Sequence, residues 1–487
     1  MPGWSRKDLF FRGLGKFAQP LFGSSGMRIL TKTANQQLKA LRSGKISAVE
    51  LLDLTISRAE EIAPQLNPFA LPLYGRARQA AQEADKKLQS GNGGRLCGLP
   101  ITIKDSQFLA GYPCANGSHA LSDFVPGETC RAIELLEQED AIVFAKTTCP
   151  EFSLTGVTES EIYGLTSNPW NPERTSGGSS GGAGVAVASG LGVFSLGGDG
   201  GGSIRIPAGF CGIVGFKPSF GAIPREPCFP SWQSIVSYGP MTRSVADARL
   251  FFDILAEGFV GHPARRSKRP RLLFSEDLGF APLDNDVRET FRQVIADLER
   301  AGFELIEANP GLPSSVVTWA TTACYDAAEN ARGSGYNLDY LGEVARGFID
   351  FGEQFSAEDF EQAQQHRQVI REAYRNLFEN HQADILLTPT LGCEAFPHGS
   401  IHPHKIDETE IELPWLDWAS FLYDANLTGL PACAIPMGLG DEGLPLSLHL
   451  LGAERRDHEV LRIAEAIERI IGWDNSIVTP SQLQQTA

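Results

Sequence analysis

The stretch TSGGSSGGAGVAVASGLGVFSLGGDGGGSIRIPAGFCGIVGFKPSFG, residues 175–221, holds 16 of the 51 glycines in a chain of 487 residues. Glycine concentrates where a backbone needs positive φ, close approach, or exposed N–H groups. Two clusters fit that need: Gly177-Gly178-Ser179-Ser180-Gly181-Gly182 and Asp199-Gly200-Gly201-Gly202-Ser203. Each sets a hydroxyl among unshielded amides, the parts of a nucleophile and an oxyanion hole. A solvated Gly/Ser linker is excluded by Val185, Val187, Leu191, Val193, Phe194 and Leu196, which lie between the clusters and demand burial.

Outward from this stretch, strand and helix signals alternate. Short apolar runs at Leu99–Ile103, Ala141–Ala145, Val193–Leu196, Leu272–Phe274, Phe303–Ile306, Asp384–Leu387, Cys433–Ile435 and Leu446–Leu451 read as strands. Between them, helices are expected over RAIELLEQED and 285–301, and Ser47-Ala48-Val49-Glu50 is a capping box opening another. The pattern predicts an α/β fold, one large sheet covered by helices, in a single large domain. The interval 313–380 reads as mostly helical and polar; an insertion that shapes a pocket is one reading, and plain core is the commoner one for Trp319, Tyr325, Phe348 and Phe351.

Composition narrows the function. A formal net charge of −17 argues against a nucleic-acid phosphate surface as partner. Nine scattered cysteines without a CxxC pair favour reduced thiols in a cytoplasmic compartment over disulfides or zinc. Residues 1–26 interleave Arg6, Lys7, Arg12 and Lys16 with Trp4, Phe10, Phe11, Phe17 and Phe22, a pattern compatible with a membrane-surface helix. An upstream extension ahead of Met27, disordered or non-native, is the preferred reading, with residues 27–487 as the folded domain. No apolar run is long enough to span a bilayer, so stable membrane insertion is not expected.

Gly177-x-Ser179-x-Gly181 matches the nucleophile elbow of α/β-hydrolases, but a turn-like lead-in replaces the required strand and no later histidine offers a clear base. Phosphate-loop and dinucleotide patterns are absent. A more specific resemblance covers about residues 35–470. The pair GGSSGG and GGSIR, joined by a small-residue helix, follows an upstream Gly98-Leu99-Pro100-Ile101-Thr102-Ile103-Lys104-Asp105. With Asn168-Pro169-Trp170-Asn171, Gly212–Pro218 and Asn426–Ala432, the order resembles the amidase signature family.

That resemblance implies a large mixed sheet covered on both faces by helices, with Ser203 as nucleophile, Ser179 as a bridging serine after a cis peptide bond, and Lys104 as base. It also implies an oxyanion hole made by the amides of Gly200, Gly201, Gly202 and Ser203. Asp199, Arg205 and Ser180 are assigned to a supporting network, and Asp105 to a similar role. The chemistry agrees: lysine, ordinarily near pKa 10.4, serves as a base at neutral pH only when desolvated or beside other cations. No metal and no cofactor is required.

Two departures stand out. Gly200 replaces the threonine or other side chain usual in the family, which predicts a looser hole, and Ala183 replaces a common serine. The expected reaction is hydrolysis of a small carboxamide through an acyl-serine. The alternative is the glutaminase component of a tRNA-dependent amidotransferase, disfavoured because Ile206-Pro207 stands where those proteins usually read Gln-Pro. A binding protein that kept the fold is a third option. A homodimer is left open, and the pocket wall is sought among Trp319, Phe348, Phe351, Trp415 and Trp418.

Overall fold

The computed structural model describes residues 28–263, 270–334, 338–407, 409–411 and 413–478. The proposed extension at 1–26 lies outside them. Eleven strands form one sheet: β1 (Phe69–Pro72), β2 (Pro100–Lys104), β3 (Ile142–Thr147), β4 (Phe194–Asp199), β5 (Val214–Lys217), β6 (Ser237–Thr242), β7 (Arg271–Phe274), β8 (Glu304–Glu307), β9 (Ile385–Pro389), β10 (Ala432–Leu439) and β11 (Pro445–Gly452). Their spatial order is β1-β3-β2-β4-β6-β5-β10-β11-β9-β7-β8. The sheet is mixed. β3, β2 and β4 run parallel to one another, as do β9, β7 and β8, and the remaining neighbours pair antiparallel.

The parallel pairing of β2 with β4 explains how residues far apart in sequence meet. Thr102 aligns with Ser195 and Ile103 with Leu196, so Lys104 and Asp199 leave the sheet at the same edge. Side chains at the carboxyl ends of adjacent parallel strands share one crevice. All five residues of β2 and all six of β4 are buried, as strands covered on both faces are.

The small-residue segment Gly181–Ala188 is a helix with every residue buried, lying against β2, β3, β4 and β6. Only small residues permit that approach: a Cβ on Gly182 would stand 2.3 Å from Thr148 Oγ1, and one on Gly181 2.3 Å from Thr158 Oγ1. The capping box at Ser47 forms as expected. Its hydroxyl accepts from the Glu50 N–H at 3.0 Å while the Glu50 carboxylate accepts from the Ser47 N–H at 2.8 Å, opening the helix Ala48–Leu66.

The interval 313–380 supplies three helices, Val316–Gly333, Glu343–Gly352 and Ala357–His381. The second docks tightly on the first, for a Cβ at Gly352 would lie 2.0 Å from the Cys324 carbonyl oxygen. All nine cysteines are unpaired thiols, eight of them buried. Among the described residues no helix is long and apolar enough to cross a membrane.

Candidate active site

Lys104, the last residue of β2, is 1% exposed, and its Nζ lies 2.5 Å from Ser179 Oγ. Burial drives its pKa down to about 8, against smaller opposing contributions from Cys149 and Asp199. The Lys104 N–H donates to Gln107 Oε1 at 3.0 Å, and the Gln107 amide reaches the Gly197 carbonyl on β4 at 3.3 Å, tying the ends of the two strands together. The Gly178–Ser179 peptide bond is cis.

Ser180 links the two glycine clusters. Its N–H donates to the Ser203 carbonyl at 3.1 Å, and its hydroxyl donates to the Gly198 carbonyl at 3.2 Å. The fold therefore brings Lys104 and Ser179 into direct contact and holds the Ser203 loop beside them through Ser180.

Behind Ser203 stands a buried ion pair. Arg205 Nε and Nη2 donate to the two Asp199 carboxylate oxygens at 2.9 and 3.0 Å, with both side chains fully buried. The other guanidinium donors reach the Leu422 carbonyl at 3.1 Å, His449 Nε2 at 3.1 Å and Asn426 Oδ1 at 2.7 Å. Arginine can only donate, so His449 Nε2 accepts and its ring proton sits on Nδ1, 3.4 Å from Thr388 Oγ1. Burial and the Arg205 charge keep His449 neutral. Burial alone would raise the Asp199 pKa, but the charge and hydrogen bonds of Arg205, with Lys217 and Asn426 adding, hold it well below the ordinary carboxylate range.

Asp199 also engages one of the four amides expected to form the oxyanion hole. The Gly202 N–H donates to Asp199 Oδ1 at 2.7 Å, so the carboxylate already takes that amide. The Ile204 N–H goes to Oδ2 at 3.2 Å. The amides of Gly200, Gly201 and Ser203 make no hydrogen bond among the described residues. Asp105 plays the structural part expected of it. It pairs with buried Lys146 at 3.1 Å and accepts from the Asn116 N–H and Tyr163 hydroxyl at 2.8 and 2.5 Å, bracing the turn after β2.

Ser203 and Gly201 open onto a cavity of about 600 Å³. Of the aromatic candidates, Trp319, Phe348, Phe351 and Trp418 line it, whereas the Trp415 side chain lies outside the described residues. Glu343, Val344, Gly347, Phe348 and Phe351 come from one face of the Glu343–Gly352 helix, so the inserted helices do shape a pocket.

The amidase family model matches residues 50–461. The chain belongs to the amidase family. It is 32% identical over 485 residues to the glutamyl-tRNA(Gln) amidotransferase component of Synechococcus sp. (strain CC9902), covering 90% of this chain and 96% of that protein. It is 30% identical over 470 residues to an acylamidase of Rhodococcus erythropolis, with 91% and 96% covered. A bacterial aryl acylamidase of the amidase signature enzymes superposes with a TM-score of 0.83 at 26% identity, over 92% of this chain and 98% of that one. This amidase is accordingly a hydrolase of amide C–N bonds.

One departure of this amidase from its family now has a physical cause. A Cβ on Gly200 would stand 2.5 Å from Trp232 Cε3, so the indole occupies the space a side chain would need. Trp232 packs where that side chain would stand, and Trp319 Nε1 holds the Gly200 carbonyl at 2.8 Å. Gly200→Thr should therefore lower stability by roughly 1–3 kcal/mol through overpacking. Combined with Trp232→Ala it should cost less than the two single changes summed, by about 1 kcal/mol or more. Thermal and denaturant unfolding of the four chains measures this; strict additivity would show that the two sites do not compete for space.

Sequence reading passes over Trp232, Asn426 as a ligand of Asp199, His449 and Lys217. Burial, reinforced by the Arg205 charge, pulls the Lys217 ammonium down to about 7, and its Nζ donates to the Pro218 carbonyl at 2.9 Å. Asn426 and Lys217 sit in motifs that carry the family resemblance, and that membership is the one available signal. Trp232 and His449 have none.

Proposed function

We propose that this amidase cleaves carboxamides bearing a bulky apolar acyl group, through an acyl-enzyme on Ser203. Neutral Lys104 takes the Ser179 hydroxyl proton while Ser179 Oγ takes that of Ser203, and Ser203 Oγ attacks the amide carbon. The N–H groups of Gly200, Gly201 and Ser203 stabilise the oxyanion of the tetrahedral intermediate. The proton returns through Ser179 to the leaving nitrogen as the C–N bond breaks, and water then releases the acid by the same route. The observation that carries this reading is the contact of fully buried Lys104 with Ser179 Oγ at 2.5 Å, with its pKa brought to about 8.

The acyl preference rests on the cavity wall. Among the described lining residues the sole charged side chain is Glu343, and the rest are mainly aromatic or aliphatic. The volume is in the range that encloses a drug-sized ligand. The resemblance to the amidotransferase component supports glutaminase activity as a second reading. Against it, the α-carboxylate of glutamine would find no cation on this wall, and Ile206 lines the cavity where those proteins usually carry Gln. The nine unpaired thiols support a reducing, cytoplasmic setting.

The test pairs two measurements on the isolated chain. Intact and peptide mass spectrometry after a fluorophosphonate should find the adduct on Ser203, and an adduct elsewhere would end the nucleophile assignment. A panel of anilides and primary amides should show bulky apolar acyl groups turned over far faster than glutamine. Glutaminase activity that appears only with a tRNA-binding partner would reverse the choice between the two readings.

A further inference from the structure

Trp319 belongs both to the cavity wall and to the machinery behind the nucleophile loop. Its Nε1–H donates to the Gly200 carbonyl at 2.8 Å, and its ring lies so near Gly201 that a Cβ there would stand 2.4 Å from Cζ2. The indole has little room to move. It stacks on Tyr423 with centroids 4.6 Å apart, meets Trp232 edge to face at 5.7 Å, and is 5% exposed.

The Gly200 carbonyl and the Gly201 N–H are two ends of one peptide unit. In a planar trans unit the C=O and N–H bonds point in opposite directions, so holding the oxygen fixes where the hydrogen aims. The two neighbouring donors are held in the same way. Asn426 Nδ2 donates to the Asp199 carbonyl at 2.9 Å, which sets the unit carrying the Gly200 N–H. The Ile206 N–H donates to the Gly202 carbonyl at 2.7 Å, which sets the unit carrying the Ser203 N–H. Asn426 does not line the cavity, and Ile206 anchors through its backbone. Of these three anchors, Trp319 alone uses the same side chain that walls the cavity.

We propose that Trp319 is a positioning residue of the oxyanion hole, aiming the Gly201 N–H through the Gly200 carbonyl while its ring forms the wall against which the substrate's acyl group packs. One indole thus sets both the seat of the acyl group and the direction of a donor to the developing oxyanion. The acyl group is thereby seated beside a donor already held on target, so loss of the indole N–H lowers kcat without loosening the acyl seat. The proposal rests on Ser203 being the nucleophile, as in the preceding section.

The experiment uses the full chain with Trp319 replaced by 3-benzothienylalanine, which keeps the shape and removes the N–H, and in parallel Trp319→Phe. With an anilide of a bulky apolar acid, kcat should fall roughly 10- to 100-fold for the benzothienyl chain while KM stays within about twofold. Affinity for a trifluoromethyl ketone, which forms a tetrahedral oxyanion on the serine, should fall by a similar factor, and affinity for the product acid should hold. A benzothienyl chain with unchanged kcat, or with lost kcat and undiminished ketone affinity, would overturn the positioning role. If the unsubstituted chain carries no fluorophosphonate adduct on Ser203, the underlying reading fails first and takes the proposal with it, which separates the two failures. The near-isosteric substitution keeps the result readable even where Trp319→Phe unfolds.

Discussion

Lys104→Met and Lys104→Arg should both lose activity by about 10³-fold or more, the upper part of the range for removing a general base. Methionine keeps the volume of the aliphatic stem and removes the nitrogen. Arginine keeps a cation that does not give up its proton, so equal loss in both would show that charge alone does not serve. The unsubstituted chain supplies the complementary measurement. With Lys104 brought to about 8 by burial, about one molecule in ten holds it neutral at pH 7. Because the neutral form is the base, log(kcat/KM) should rise with a slope near one below pH 8 and level off above it. A profile that falls through this range, or a Lys104→Arg chain with near-normal turnover, would rule out lysine as the proton acceptor. The same burial gives the stability sign. The folded pKa of about 8 lies below the ordinary 10.5, so between those values the unfolded chain binds the proton and the folded one does not. The group's contribution to stability is therefore lost as pH falls from 10.5 to about 8, and is level below that.

The sequence carries the candidate site further than it carries the sheet. Lys104, Ser179, Ser180, Asp199, Ser203 and Arg205 are all legible because each sits in one of the short motifs that carry the family resemblance. Strands that hold mainly apolar runs, such as Ile142–Thr147 and Pro445–Gly452, are legible from those runs. Two central strands are not. Val214–Lys217 and Ser237–Thr242 contain Gly215, Gly239 and Pro240, residues that weaken any strand reading. The structure shows why they are tolerated: a Cβ on Gly239 would lie 2.1 Å from the Phe216 carbonyl oxygen, and one on Gly215 2.6 Å from Ala208 Cβ. These glycines record the approach of neighbouring elements, which local periodicity does not encode.

The amides assigned to an oxyanion hole are less alike than the sequence suggests, for a related reason. Four consecutive amides look equivalent in sequence, yet a carboxylate three residues upstream captures the one on Gly202. The role of Gly200 depends on Trp232, which reaches it from a loop and is held with positive φ through its N–H bond to Asp326. No spacing rule connects residue 200 to residue 232 or to residue 319. Trp319 and Trp418 are legible as pocket candidates from their size and setting, but which edge of Trp319 faces the backbone is not.

Asp199→Asn should destabilise the fold by about 3–5 kcal/mol, the usual cost of leaving a buried charge without its partner. Arg205 is fully buried, so removing the carboxylate charge leaves its guanidinium without a counter-ion in a dry region. Asparagine would also surrender hydrogen bonds that now hold Gly202, Ile204 and the guanidinium together. Two further results distinguish a charge effect from lost packing. The Asp199 pKa is depressed on folding, so its contribution is complete above the unfolded carboxylate value near 4 and is lost as pH falls below it. The Asn variant should therefore show a smaller stability deficit at pH 3 than at pH 7 in denaturant unfolding. Adding Arg205→Met to Asp199→Asn should restore part of the stability, because it removes the buried cation that the first change leaves without its partner. It should not restore turnover, since the Ser203 loop still lacks the carboxylate that fixes the Gly202 amide. Recovered activity in the double variant would mean that the ion pair serves the fold alone.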